Sequence, residues 1–300
     1  MSTSSSRAVA LALLANGGIA VSKFGVFLLT GSSSLLTEAI HSSADCVNQV
    51  LLFIGIHQGA KPAGPKHPLG HGQAPFVASF LVALLLFSMG GLYSVIEGVH
   101  KVRHPEQPHH LSWAVALLLF AIALEGWSLR GALIASAPGR RGKSLLRYLR
   151  QSSSTELVVV LAEDIAALLG LVFALAAVLL TLLTGNPVWD GIGSVAIGFL
   201  LIAVAGFVGV EVTSLLMNEA PPLALRAALR IAVEEDPAVD RVLNLVAVIV
   251  GSDRLMVALQ VKFHDQPSGA ALVEAINALE RTLHVRFPEI QHLFVEPDNL

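Results

Sequence analysis

Apolar residues run along this chain in six long blocks, separated by short clusters of polar, glycine and proline residues. The blocks fall at residues 8–30, 34–58, 76–99, 111–135, 156–183 and 188–216. A helix crosses about 30 Å of hydrocarbon in about 20 apolar residues, so each block predicts a spanning helix. From residue 219 the pattern changes. PPLALRAALRIAVEED spaces its apolar residues helically behind Pro221 and Pro222 and stops before Pro237. RVLNLVAVIV and RLMVALQVKFHD read as strands around a Gly251-Ser252-Asp253 turn, followed by a helix over 268–286 and a short strand in HLFVEP. The pattern predicts an α-helical membrane protein: a six-helix transmembrane domain over residues 1–218 and a small α+β domain over 219–300, with helices on one sheet face.

Composition agrees with this division. The 300 residues are 54% hydrophobic and 14% charged, against about 25% charged in an ordinary soluble domain. The connections are short: TGSSS after the first block, TGNPVWDG before the sixth. AKPAGPKHPLGHGQAP, rich in proline, glycine and histidine, joins the second and third. SAPGRRGKSLLRYLRQSSS, between the fourth and fifth, holds a short basic amphipathic stretch suited to anionic headgroups. No cleaved signal peptide is expected, because the first block lacks a small-residue cleavage pattern. The lone Cys46 excludes an intrachain disulfide and a multi-thiolate zinc cluster.

Charge sets the orientation. With a cytoplasmic N-terminus, Arg7, Lys61, Lys66, Arg140, Arg141, Lys143, Arg147 and Arg150 fall on the cytoplasmic side, and Lys101 and Arg103 on the other. Both termini are then cytoplasmic, and a bacterial inner (plasma) membrane is the expected host. From Glu219 on there are twelve acidic and seven basic residues, which argues against nucleic-acid binding.

Against this apolar background a few ionisable residues stand out. His41 and Asp45 lie one turn apart in the second block, with Glu38 and Asn48 continuing the same helical face. The neighbours Glu163 and Asp164 lie in the fifth block. A charged group in mid-bilayer costs roughly 2.5–3.5 kcal/mol even on a lenient scale, so such residues face a partner or a polar path. One reading takes them as interhelical hydrogen-bonding groups. The other takes them as a divalent-metal site, because acids gathered without a lysine or arginine need a cation or protons to neutralise them. An imidazole nitrogen with carboxylate oxygens suits Zn²⁺, and Mn²⁺ or Fe²⁺ accept the same donors.

The string GSSSLLTEAIHSSADCVNQVLL resembles the second helix of the cation diffusion facilitator family, and HPLGHG resembles that family's HPFGHG motif. VLAEDIAALLGL resembles the LLED-type fifth helix of the branch typified by the zinc transporter of animal mitochondria. The resemblance covers nearly the whole chain. It implies six helices followed by a ferredoxin-like cytoplasmic domain, assembled as a homodimer through both domains. It implies a proton-coupled antiporter that exports Zn²⁺, or Mn²⁺, Fe²⁺ or Co²⁺, by alternating access, with the metal as substrate and no cofactor. His41, Asp45 and Asp164 carry over as metal ligands. Glu163 is a branch-specific candidate that sits about 100° around the helix from Asp164.

The chain departs from the family pattern in three places. Val160 stands one turn before Asp164, where most members have His or Asp. Gly64 stands three residues before the His67/His71 pair, where some relatives have an Asp that completes a second zinc site. In the tail, Phe294, Glu296 and Ile276 occupy positions where relatives carry metal ligands. The incomplete fifth-helix motif leaves a non-transporting, metal-responsive scaffold subunit as an alternative. No nucleophile or substrate-binding motif accompanies the metal candidates, so an enzyme is not expected and no catalytic residue is assigned.

Overall fold

The computed structural model describes residues 3–30, 33–105, 111–140, 142, 144–152, 154–264 and 268–299. The chain divides into two compact units, residues 1–57 with 75–213, and residues 58–74 with 214–300.

The first unit is helical. Its elements are α1 (Thr3–Thr30), α2 (Ser33–Gly59), α3 (Ala74–Leu85), a π-helical turn (Leu86–Leu92), α4 (Tyr93–Arg103), α5 (Leu111–Arg140), α6 (Leu145–Gln151), α7 (Thr155–Thr184) and α8 (Val188–Leu216). Among the described residues four stretches are long and apolar enough to cross a membrane: Ala74–Arg103, Ala114–Arg140, Thr155–Thr184 and Val188–Leu216. α1 adds a shorter apolar run, Val9–Ser22. α2 is 27 residues long, but its apolar run is broken by Glu38, His41, Asp45, Asn48 and Gln49. α5 packs along α1 and α7, and α1 also meets α7.

The helix ends follow local chemistry. Ser144 caps α6, its Oγ accepting from the Arg147 N–H at 3.4 Å. α7 closes on Gly185 at φ +67, which donates its N–H to the Thr181 carbonyl at 2.9 Å. Two features depart from the sequence reading. α5 runs through Pro138 to Arg140, so SAPGRR begins as helix rather than loop. Pro138 lacks the N–H that an interior residue donates to the carbonyl four residues earlier, and Ser136 Oγ ties that turn to the Leu133 carbonyl at 2.9 Å. The third block is interrupted by the π turn at Gly90 and Gly91, where the helix lies against α8. A Cβ on Gly91 would sit 3.1 Å from the Ile202 backbone nitrogen.

The second unit holds α9 (Leu223–Glu234), β1 (Val239–Gly251), β2 (Arg254–Phe263), α10 (Gly269–Arg286) and β3 (Ile290–Pro297). The order helix-strand-strand-helix-strand is the expected one. The sheet order is β1-β2-β3, with β1 and β2 antiparallel and β2 and β3 parallel. A parallel pair requires a crossover, which α10 supplies. β2 alternates strictly, burying Leu255, Val257, Leu259, Val261 and Phe263. Leu229, Ala232 and Val233 of α9 and Leu279 and Leu283 of α10 are buried. Ser268 caps α10, accepting from the Ala271 N–H at 3.2 Å.

The connection over 58–74 belongs to this second unit. It is pinned by a two-way backbone bridge between Gly64 and His67 and by a hydrogen bond from Gln73 Nε2 to Asn218 Oδ1 at 3.2 Å. Gly72 lies against the β1–β2 turn so closely that a Cβ there would be 2.4 Å from the Val250 carbonyl oxygen.

Candidate metal centre

The N-terminal third of α7, from Thr155 to Asp164, is buried at every position. Residues 3.6 to a turn can all be covered only if neighbours surround the helix. Here α1 and α5 pack on it, and α2 reaches it through polar side chains. Glu163 and Asp164 are 7% and 3% exposed, so their charge depends on what the neighbouring helices offer.

The two acids serve different helices, as their divergence around α7 requires. Glu163 turns to α2. Asn48 Nδ2 donates to its Oε1 at 2.9 Å and Gln49 Nε2 donates to its Oε2 at 2.7 Å. Asp164 turns to α5, where Ser128 Oγ donates to its Oδ2 at 3.0 Å. Glu163 also lies within electrostatic reach of Asp45, Asp164 and Glu125. Four acids and two amides thus share one region of the helical unit.

An amide NH₂ is a donor and its oxygen an acceptor. With both NH₂ groups turned to Glu163, Asn48 Oδ1 and Gln49 Oε1 are buried with no hydrogen-bond partner among the described residues. Asn48 is 4% exposed and Gln49 fully buried. Such acceptors are costly unless a donor or cation meets them.

Of the sequence candidates, Glu163 and Asp164 occupy this buried region and Asp45 is half-buried on α2. His41 lies on α2, but its side chain, like that of Glu38, falls outside the described residues. Among the described residues no three His, Cys, Asp or Glu side chains converge on a common metal position. Gln49 and Ser128 had no signal in the sequence, since a glutamine or serine in an apolar helix is unremarkable until its partner is known. Glu125 of α5 is buried at 7%, whereas Arg130, five residues on, is exposed.

Other candidates lie elsewhere. Asp190 makes an interhelical ion pair with Lys101 at 3.0 Å. The rings of His67 and His71 lie with centroids 4.4 Å apart and planes tilted by 52° in the second unit. Phe294 is 57% exposed on β3, and Glu296 pairs in register with Gln260.

Comparison with known proteins gives this region its context. Residues 9–217 match the cation efflux transmembrane domain. The chain is 35% identical to the proton-coupled zinc antiporter SLC30A9, mitochondrial, of Xenopus laevis over 259 residues, covering 86% of this chain and 46% of that protein. It is 31% identical to the Homo sapiens protein of the same name over the same shares. It is also 31% identical to metal tolerance protein C4 of Arabidopsis thaliana over 205 residues, 68% of this chain and 45% of that protein. The chain spans about half the length of the curated relatives it matches. It belongs to the cation efflux family, on the branch that SLC30A9 represents.

Proposed function

We propose that this protein is a proton-coupled antiporter that carries Zn²⁺ out of the cytoplasm by alternating access, acting as a transporter and not as an enzyme. The observation that carries the reading is the pair of buried acids on α7, each met by polar side chains of a different helix inside an apolar helical unit. Buried carboxylates with only neutral partners are stabilised by a divalent cation when loaded and by protons when empty. Metal and proton therefore compete for the same groups, which is the basis of exchange. The SLC30A9 relatives, named as proton-coupled zinc antiporters, support zinc and proton coupling as the first choice. Mn²⁺, Fe²⁺ and Co²⁺ remain chemically compatible cargo.

In this reading His41, Asp45 and Asp164 hold the metal. Glu163 belongs to the same site, although its present hydrogen bonds commit both of its oxygens to α2. Residues 1–218 form the six-helix domain in a bacterial inner membrane, and residues 219–300 form a ferredoxin-like cytoplasmic domain, with both termini cytoplasmic. The functional unit is a homodimer. Support for tail-to-tail pairing comes from one cross-strand row, Val246–Ala258–Phe294, whose two outer members are 47% and 57% exposed.

The test is zinc-driven proton movement in proteoliposomes. Asp45→Ala and Asp164→Ala are each expected to abolish it while the protein stays folded. Wild-type flux in both variants would remove the proposal.

A further inference from the structure

We infer that Asn48 is a cargo ligand: its side-chain oxygen joins His41, Asp45 and Asp164 on the transported cation, and Glu163 is the positioning residue that aims it. The inference rests on the transport reading above and deepens it.

Asn48 stands three residues after Asp45 and seven after His41, on the same face of α2. Its side chain is 4% exposed, its NH₂ is fixed on Glu163 Oε1 at 2.9 Å, and its Oδ1 is left buried with no partner among the described residues. An amide held at one end by a carboxyl has its other end pointed by that bond. Gln49, fixed in the same way on Glu163 Oε2, turns the second oxygen of the carboxyl to α2 as well. In this inference Glu163 acts through α2, by holding Asn48, rather than by direct coordination.

Charge balance favours the amide over a fourth carboxylate. A neutral imidazole and two carboxylates offset the charge of a divalent cation. A third carboxylate would leave the loaded site negative in a low-dielectric region, whereas an amide oxygen adds a donor without adding charge. Four donors suffice for Zn²⁺ in tetrahedral geometry. Carbonyl-type oxygen also suits harder cations such as Mn²⁺, so this position bears on metal choice.

The experiment titrates Zn²⁺ and Mn²⁺ separately into the purified full chain in lipid nanodiscs at fixed pH, with thermal stability measured alongside. Asn48→Leu keeps the volume and removes the oxygen. It is expected to weaken binding of both ions by about tenfold or more, Mn²⁺ more than Zn²⁺. Asn48→Asp keeps an oxygen and is expected to bind both ions with the preference moved towards Mn²⁺. Wild-type affinities and an unchanged ratio in Asn48→Leu, accompanied only by lower thermal stability, would reduce Asn48 to a helix-linking role and overturn the inference. If Asn48→Leu does not fold, an unchanged Zn²⁺:Mn²⁺ ratio in Asn48→Asp overturns it. Failure of the transport reading is seen separately, as zinc-driven proton flux in proteoliposomes that survives Asp45→Ala and Asp164→Ala.

Discussion

Ser128 Oγ donates to Asp164 Oδ2 at 3.0 Å, joining α5 to α7 by a bond buried on both sides. The hydroxyl fixes one lone pair of Asp164 and leaves its other oxygen for a further partner. In the transport reading that partner is the metal, so Ser128 acts on cargo only by orienting Asp164.

Ser128→Ala is therefore expected to weaken metal binding while leaving the helical unit assembled. A hydrogen bond to a charged group is worth about 1.5–3 kcal/mol, or roughly ten- to a hundredfold in affinity. Ser128→Thr retains the hydroxyl and should bind close to wild type. Metal titration of the two variants checks this, and equal affinities for alanine and wild type would refute it.

Gly72→Val tests the docking of the 58–74 connection within the second unit. A Cβ at Gly72 meets the Val250 carbonyl oxygen at 2.4 Å and one at Gly251 meets Gly72 Cα at 2.8 Å, so backbone touches backbone there. Neither side can yield by turning a side chain. Overpacking of this kind costs about 1–3 kcal/mol. The expected outcome is faster proteolysis between Lys61 and Gln73. A cleavage rate equal to that of the wild type would show that the connection holds without this contact.

The α4–α8 contact separates packing from charge. A Cβ on Gly98 would lie 2.6 Å from the Val195 backbone nitrogen, and one on Gly191 would lie 2.8 Å from that of Val102. The same helix pair carries the Lys101–Asp190 bridge, whose side chains are 41% and 37% exposed. Such a bridge is worth about 0–1 kcal/mol. Gly98→Leu is expected to lower thermal stability clearly and Lys101→Met barely. A larger loss for Lys101→Met would reverse the assignment of what holds these helices together.

What the sequence carried was local. The strict alternation of β2, the prolines before α9 and the glycine after α7 each act within a few residues, and each element formed where its pattern placed it. The family motif singled out Asp45 and Asp164, and helical spacing put Asn48 beside Asp45. The missing pieces depend on distant approach. Gln49 and Glu163 are 114 residues apart and Ser128 and Asp164 are 36 apart, so no window along the chain contains both partners. The π turn at Leu86–Leu92 and the docking of Gly72 are likewise settled by a second backbone, which hydrophobic periodicity does not encode.

Glu163→Gln decides whether Glu163 works through Asn48. A glutamine presents a carbonyl oxygen at one end and an NH₂ at the other, so the two amide NH₂ groups that now meet separate carboxylate oxygens can no longer both be received in place. The other amide must turn its oxygen inward or leave its NH₂ facing another donor. Either arrangement disturbs the α2 pair, and a lost buried hydrogen bond of this kind costs about 1–3 kcal/mol. If Asn48 is the amide that turns, its oxygen is withdrawn from the cargo and metal affinity falls although no carried-over ligand has changed. Combining Glu163→Gln with Asn48→Leu then costs little more affinity than Asn48→Leu alone, because the path from Glu163 to the metal is already cut. Side chains acting independently would instead give losses that add. Titrating Zn²⁺ into the two single variants and the double variant measures this coupling, and strict additivity would show that Glu163 reaches the metal by another route.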